Sequence, residues 1–334
     1  MRGPFFVLPR GGKLYVVQQI LFSGRMALRT AWPMVTLSDN TRGALLMMGS
    51  MAAFVMGDTC VKAIGTALPL GEVLLLRGLL ATGLVTLLAW RLTALRFDLG
   101  RRDWLLVLAR ALAEIGSTWF YFVALRNMPL ANVTALLQML PLTLTLGSAV
   151  VFREPVGWRR WLAIGVGFCG MLLIVRPGTE GFTVYSVSAL IAVVFVTIRD
   201  LLIRRMSRHV PSLMVVWVAS VGVILFAGAL SLSETWVPLD GRSGGLLALA
   251  AVLVSMGYSL SVMVMRHGEV SFTAPFRYTG LVWALVLGLL VFGDWPHPLT
   301  LIGAAIIVAT GVFTLVREAQ LRRRALRQAK MRLI

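Results

Sequence analysis

GDTCVK, Gly57–Lys62, sets an aspartate four positions before a lysine at the end of an apolar run that begins near Ala44. RDLLIR, Arg199–Arg204, repeats the arrangement, with Asp200 and Arg204 closing a second apolar run. Asp58 and Asp200 are 142 positions apart, and the chain laid on itself at a shift of 140 to 142 matches at further places. Pro69 falls on Pro211, and LLVLARALAEIG (Leu105–Gly116) falls on LLALAAVLVSMG (Leu246–Gly257). Phe152 and Glu154 fall on Phe292 and Asp294; after a one-residue insertion Gly170 and Val175 fall on Gly311 and Val316. A near-constant offset at separated places divides the chain into two related halves.

Composition says what surrounds those halves. Of 334 residues 58% are hydrophobic and only 14% are charged, and the mean hydropathy is +0.84, whereas a soluble domain carries roughly a quarter charged residues. The chain reads as an integral membrane protein. A membrane-crossing helix needs about 20 mainly apolar residues, and ten such runs occur: Ala44–Thr66, Val73–Leu92, Trp104–Leu125, Leu130–Phe152, Trp161–Val175, Val184–Ile203, Leu213–Leu232, Leu246–Met265, Thr273–Phe292 and Leu299–Val316. Each half therefore holds five. An odd number makes the second half enter from the opposite face, so the expected fold is all-α, ten transmembrane helices as two inverted five-helix repeats.

Charge sets the orientation. One set of alternate loops carries Arg91, Arg96, Arg101, Arg102, Arg153, Arg159, Arg160, Arg204, Arg205, Arg208 and Arg266, against only Lys62, Arg126, Arg176 and Arg242 on the other. Basic loops stay cytoplasmic, so a multi-pass protein of the cell inner membrane with both termini cytoplasmic is expected. The net charge of +18 would in a soluble chain suggest nucleic acid. Here the bases lie between apolar runs and at the ends, where they meet membrane lipids, and no nucleic-acid partner is expected. The division expected is a cytoplasmic N-terminal arm (1–42), a first repeat (43–178), a second repeat (179–317) and a basic cytoplasmic tail (318–334). No cleavable signal peptide is read in the arm. Cys60 and Cys169 have no CxxC or histidine neighbour, so neither a disulfide nor a metal site is expected.

Four stretches carry a family resemblance: GEVLLLRGLLA (Gly71–Ala81), FYFVALRNMPLANVTALLQMLPLTLTLGSAVVFREP (Phe120–Pro155), GMLLIVRPG (Gly170–Gly178) and LVFGDWPHPLTLIGAAIIVATGV (Leu290–Val312). Together they make the chain from Arg42 to Arg317 resemble the drug/metabolite transporter superfamily, specifically the EamA-type ten-helix transporters. The paired Asp58 and Lys62 and the Arg-Pro-Gly at 176–178 resemble the branch that includes riboflavin and S-adenosylmethionine uptake carriers. The family usually places Gly-Glu after its fourth and ninth helices; this sequence has Arg153-Glu154 and Gly293-Asp294. The resemblance implies alternating access around a substrate held near the membrane midplane.

Ionisable groups in a bilayer are costly and are read first as functional. Arg110 and Glu114 lie four apart, hence on one helical face that Thr118 and Tyr121 continue. Their counterparts in the second half are Ala251 and Ser255, an asymmetry that a scaffold role would not require. Asp58 and Lys62 read either as a gate or as an i,i+4 salt bridge at a helix end, and Asp200 with Arg199 and Arg204 reads more readily as an orientation anchor. Glu72 and Arg77, five apart, do not share a face. Gln138, close to Pro141, could hydrogen-bond a ligand at a locally broken helix. Arg277 suits a carboxylate, Tyr278 adjoins it, and Tyr121 and Tyr258 could stack on a planar molecule. The candidate substrate-binding or coupling set is thus Asp58, Lys62, Arg110, Glu114, Tyr121, Gln138, Tyr258, Arg277 and Tyr278, on a site lined by helices one, three, four, six, eight and nine.

No nucleophile elbow, Walker loop or HExxH motif is present, so a non-enzymatic chain without cofactor is expected. The function expected is secondary transport of a small organic metabolite, such as a vitamin like riboflavin, an amino acid or a related compound. The alternatives are an intramembrane lipid-acting enzyme and a non-transporting membrane assembly subunit. A homodimer is compatible with this reading.

Overall fold

The computed structural model of the protein describes residues 39–91, 98–154, 157–177, 183–207, 209–267 and 270–331. Most of the expected N-terminal arm, together with Arg96, Arg208 and the last three residues of the tail, lies outside the described residues.

The described residues form helices throughout: α1 (Asp39–Ile64), α2 (Leu70–Arg91), α3 (Arg101–Asn127), α4 (Leu130–Leu137), α5 (Leu140–Phe152), α6 (Trp158–Val175), α7 (Val184–Ile203), α8 (Ser212–Ser231), α9 (Gly241–His267), α10 (Val270–Thr273), a 3₁₀ turn (Ala274–Tyr278), α11 (Thr279–Phe292) and α12 (Pro298–Met331). Among the described residues nine spans are long and apolar enough to cross a membrane. The further helix α2 is 22 residues long, enough for about 33 Å at 1.5 Å per residue. The molecule is a multi-pass helical bundle. Large apolar side chains such as Leu105, Leu112, Val150, Leu225 and Leu290 lie exposed on its periphery, where hydrocarbon rather than water suits them.

Two apolar runs of the sequence are not single helices. Between α4 and α5 the backbone turns at Gln138 and Met139, just before Pro141. Proline cannot supply the N–H that would continue the ladder. The α10–α11 run is interrupted by the 3₁₀ turn that contains Pro275. The Gln138 side chain donates to the Arg277 carbonyl at 3.4 Å, so the two interruptions meet.

Packing follows a few small residues. α1 lies chiefly against α9, α3 against α7, α2 against α8 and α6 against α12. A Cβ added at Gly116 would stand 2.8 Å from the Phe195 ring, and one added at Gly257 would stand 2.9 Å from the Phe54 ring. Glycine thus admits one aromatic ring into each of the α3–α7 and α9–α1 interfaces. Ser50 fastens the second by donating to the Gly257 carbonyl at 2.7 Å.

The ends of α5 and α11 are built alike although their sequences differ. Each closes on a left-handed residue, Arg153 with φ 53° and Gly293 with φ 70°. Only glycine adopts that conformation without steric penalty. This supplies the physical reason for a glycine at the position where the present chain carries Arg153.

Candidate functional site

The cavity is assembled on one face of α3. Arg110, Glu114, Ser117, Thr118 and Tyr121 fall at helical spacing and all line a cavity of about 420 Å³. Asp58 reaches it from α1, Arg77 from α2, Arg199 from α7 and Tyr258 from α9. Leu137 and Leu140, at the α4–α5 break, and Val216, Ala219 and Val223 of α8 add apolar wall. Its helices come from both halves of the sequence.

Charges are linked across it. Arg110 Nη2 lies 3.2 Å from Glu114 Oε2, the expected i,i+4 pair. Glu114 Oε1 also accepts from Arg199 Nη1 at 3.1 Å, and Arg199 Nε donates to Asp200 Oδ1 at 2.9 Å. The four groups form a chain of two cations and two anions bridging α3 and α7. Such a chain is strongly context-dependent in energy, since desolvation opposes the Coulomb gain; removing one member leaves a charge uncompensated and is expensive. Further along α3, Tyr121 Oη donates to Asp58 Oδ2 at 2.6 Å. The Arg77 guanidinium sits over the Phe122 ring at 4.8 Å, a cation–π contact.

Of the nine candidate residues, the structure brings Asp58, Arg110, Glu114, Tyr121 and Tyr258 to the cavity. Lys62 lies elsewhere: its Nζ donates to the carbonyls of Met128 at 2.6 Å and Leu125 at 3.2 Å, and lies 5.3 Å from the centre of the Phe292 ring. The two charges of the opening stretch thus have different partners, and Lys62 closes the C-terminus of α3, where carbonyls lack intrahelical donors. Gln138 bridges the two helix interruptions. Arg277 is exposed, and Tyr278 is buried against Gly311 of α12; neither lines this cavity. Helices α2 and α8 contribute walls that the sequence reading did not assign, because they pack on each other and on α9 and α3 beside the charged face.

Arg199 and Arg77 also line the cavity, although neither is in the candidate set. Arg199 reads in sequence as one of several bases at a helix end, and nothing local tells that its partner is Glu114, 85 positions away. Arg204, the counterpart of Lys62, donates to Ser148 at 2.5 Å and Glu154 at 2.6 Å and stacks on Phe152 at 4.9 Å. The basic member of each repeated pair therefore fastens a helix end, and the opening aspartate faces the cavity.

Residues 41–176 and again 184–316 match the EamA-like transporter family. The pseudopaline exporter of Pseudomonas aeruginosa (strain UCBPP-PA14) is 27% identical over 267 residues, 80% of this chain and 93% of that protein. A riboflavin transporter of Vibrio cholerae is 31% identical over 215 residues, 64% of this chain and 72% of that protein. A solved crystal structure superposes with a TM-score of 0.57 at 19% identity, covering 83% of this chain and 99% of the other, a likeness of fold alone. With both halves matching over most of its length, the chain belongs to the EamA-like transporter family: it is a secondary transporter of small molecules across a membrane, and not an enzyme.

Proposed function

We propose that this transporter moves a small organic metabolite, of the vitamin, amino-acid or related class, across the cell inner membrane by alternating access between two inverted five-helix halves, with both termini cytoplasmic. The observation that carries the reading is the cavity between helices of both halves. It is walled by three arginines, two carboxylates, hydroxyls and aromatic rings in an otherwise apolar bundle.

A two-fold relation between the halves is supported by how the helices pair, and five spans in each half make that relation an inversion. Exchanging the halves turns the α1–α9 contact into α3–α7, and α3–α8 into α9–α2, while α2–α8 and α6–α12 map onto themselves. The ring of Phe195 over Gly116 and that of Phe54 over Gly257 exchange likewise. Lys62 beside Phe292 and Arg204 beside Phe152 form matching fastenings at two helix ends. Rocking of one half on the other would open the cavity alternately to each face. Similarity to a riboflavin transporter and to a pseudopaline exporter supports an organic cargo and is compatible with either direction of movement.

The test is uptake and efflux of a labelled metabolite panel in cells expressing wild type or Glu114→Gln at matched membrane abundance, with and without a protonophore. Flux of one compound in wild type that is lost in the variant supports the reading, and protonophore sensitivity adds proton coupling. Undiminished flux in the variant removes Glu114 from the cycle; absence of any flux removes the proposal.

A further inference from the structure

The charges lining the cavity do not cancel at its surface. Arg77, Arg110 and Arg199 line it against Asp58 and Glu114. The third carboxylate, Asp200, bonds Arg199 but is not among the lining residues. The wall thus presents one cation more than it does anions. That excess falls on guanidinium groups whose hydrogen-bonding capacity is incompletely used. Arg110 is only 7% exposed, yet its Nε and Nη1 are buried without a hydrogen-bond partner, and so is Nε of Arg77. A guanidinium carries five N–H donors, and leaving them unpaired away from water is costly.

The ion-pair chain also has a slack member. Among the described residues Arg199 holds two carboxylates, Glu114 and Asp200, whereas Arg110 holds Glu114 alone. If another anion took Arg110, Glu114 would keep its bond to Arg199 and no acid would be stranded. Release in the other direction is less favourable, because Arg110 has no other acid to fall back on among the described ion pairs. Repeat symmetry points the same way: the positions matching Arg110 and Glu114 are Ala251 and Ser255, so the pair is not required by the fold.

We infer that Arg110 is the docking residue for a carboxylate of the transported molecule, which replaces Glu114 on it while Glu114 stays on Arg199. This rests on the transport reading above and deepens it by naming the substrate class: a carboxylate-bearing organic molecule. Its apolar or aromatic body lies against Phe54, Phe122 and Tyr258. The carboxylate supplies two acceptor oxygens, one for Nη2 once Glu114 has left it and one for the unpaired Nε or Nη1 beside it.

The experiment uses the purified full-length chain in lipid nanodiscs and reads binding by thermal shift for acid–amide pairs: indole-3-acetate and indole-3-acetamide, phenylacetate and phenylacetamide. In wild type the acid is expected to bind roughly tenfold more tightly than its amide or better. Arg110→Gln should bring the two within about twofold, and Arg110→Lys, which keeps the charge but loses the fork, should restore part of the preference. Glu114→Gln, which is isosteric, should tighten the acid several-fold because its competitor for Arg110 is gone. Should Arg110→Gln fail to fold, the Glu114→Gln arm decides. Acids that bind no better than amides, or that bind more weakly to Glu114→Gln, overturn the inference. Equal binding together with Glu114-dependent flux sinks this inference and leaves the transport reading standing; acid preference without any flux sinks the transport reading and leaves Arg110 only as a carboxylate-binding residue, not one for a transported molecule.

Discussion

Tyr121 donates its phenolic hydrogen to Asp58 across 2.6 Å and 63 positions of sequence, tying α3 to α1 at the wall of the cavity. The aspartate thereby has its partner on a neighbouring helix, whereas the lysine one turn away from it does not contribute to the site. Tyr121→Phe keeps the ring and removes the donor. Its expected cost in stability is about 1.5–3 kcal/mol, and transport per molecule should fall because Asp58 is no longer held in place. Flux normalised to membrane abundance, beside a denaturation midpoint, separates the two effects.

Gly116 and Gly257 leave no room for a side chain under Phe195 and Phe54. Gly116→Ala and Gly257→Ala should each destabilise the bundle by about 1–3 kcal/mol through overpacking. Trimming the ring should relieve the first change: Gly116→Ala with Phe195→Leu is expected to be less damaging than the sum of the single variants. A double-mutant cycle on thermal stability measures this, and strict additivity would contradict the contact.

Arg153 occupies a left-handed C-cap that Gly293 fills in the matching helix. Arg153→Gly should raise stability by up to about 1 kcal/mol, and Gly293→Ala should lower it by a similar amount. Opposite signs for the two variants in one melting series are the expected result.

Lys62 donates to two carbonyls at the end of α3 and stands beside Phe292. Lys62→Met retains the apolar stem and loses the bonds. Amide hydrogen exchange should accelerate in the last turn of α3 around Leu125 to Met128, with a stability loss of about 1–2 kcal/mol. Unchanged exchange there would refute the capping role.

Asp240 precedes α9 and accepts the Ser243 backbone N–H at 3.1 Å. Hydrogen bonds from Ser243 hold its carboxyl below the ordinary carboxylate value. A depressed folded-state value means the capping contribution is fully present at neutral pH and is lost as pH falls through that value. The protection factor at Ser243, corrected for intrinsic exchange, should therefore fall on acidification below the ordinary carboxylate range, and Asp240→Asn should remove this pH dependence of protection while retaining part of the cap.

Much of the architecture was legible in one dimension because hydropathy is a local property. Runs such as Val184–Ile203 mark a membrane helix from composition and length alone, and Arg110, Glu114 and Tyr121 share a face by helical spacing whatever surrounds them. Pro141 also announced its interruption, since a missing N–H acts within its own helix; the 3₁₀ turn at Pro275 came only with the structure. Arg199 and Arg277 were less legible. Both are bases among apolar residues, yet one bonds Glu114 and the other is exposed, and no neighbouring residue encodes the difference.

The sequence by itself determined a membrane-spanning helical chain, its division into two related halves, and a charged face on the helix from Arg101 to Asn127. Those follow from the free energy of placing side chains and backbone in hydrocarbon and from the geometry of a single helix. Only the tertiary structure decided partners: Asp58 with Tyr121 rather than Lys62, Glu114 shared by Arg110 and Arg199, and Lys62 on the carbonyls of a neighbouring helix. Pairing depends on how each helix is rotated and how near it comes to the next. Both are fixed by contacts such as Phe195 on Gly116 that join residues remote in the chain.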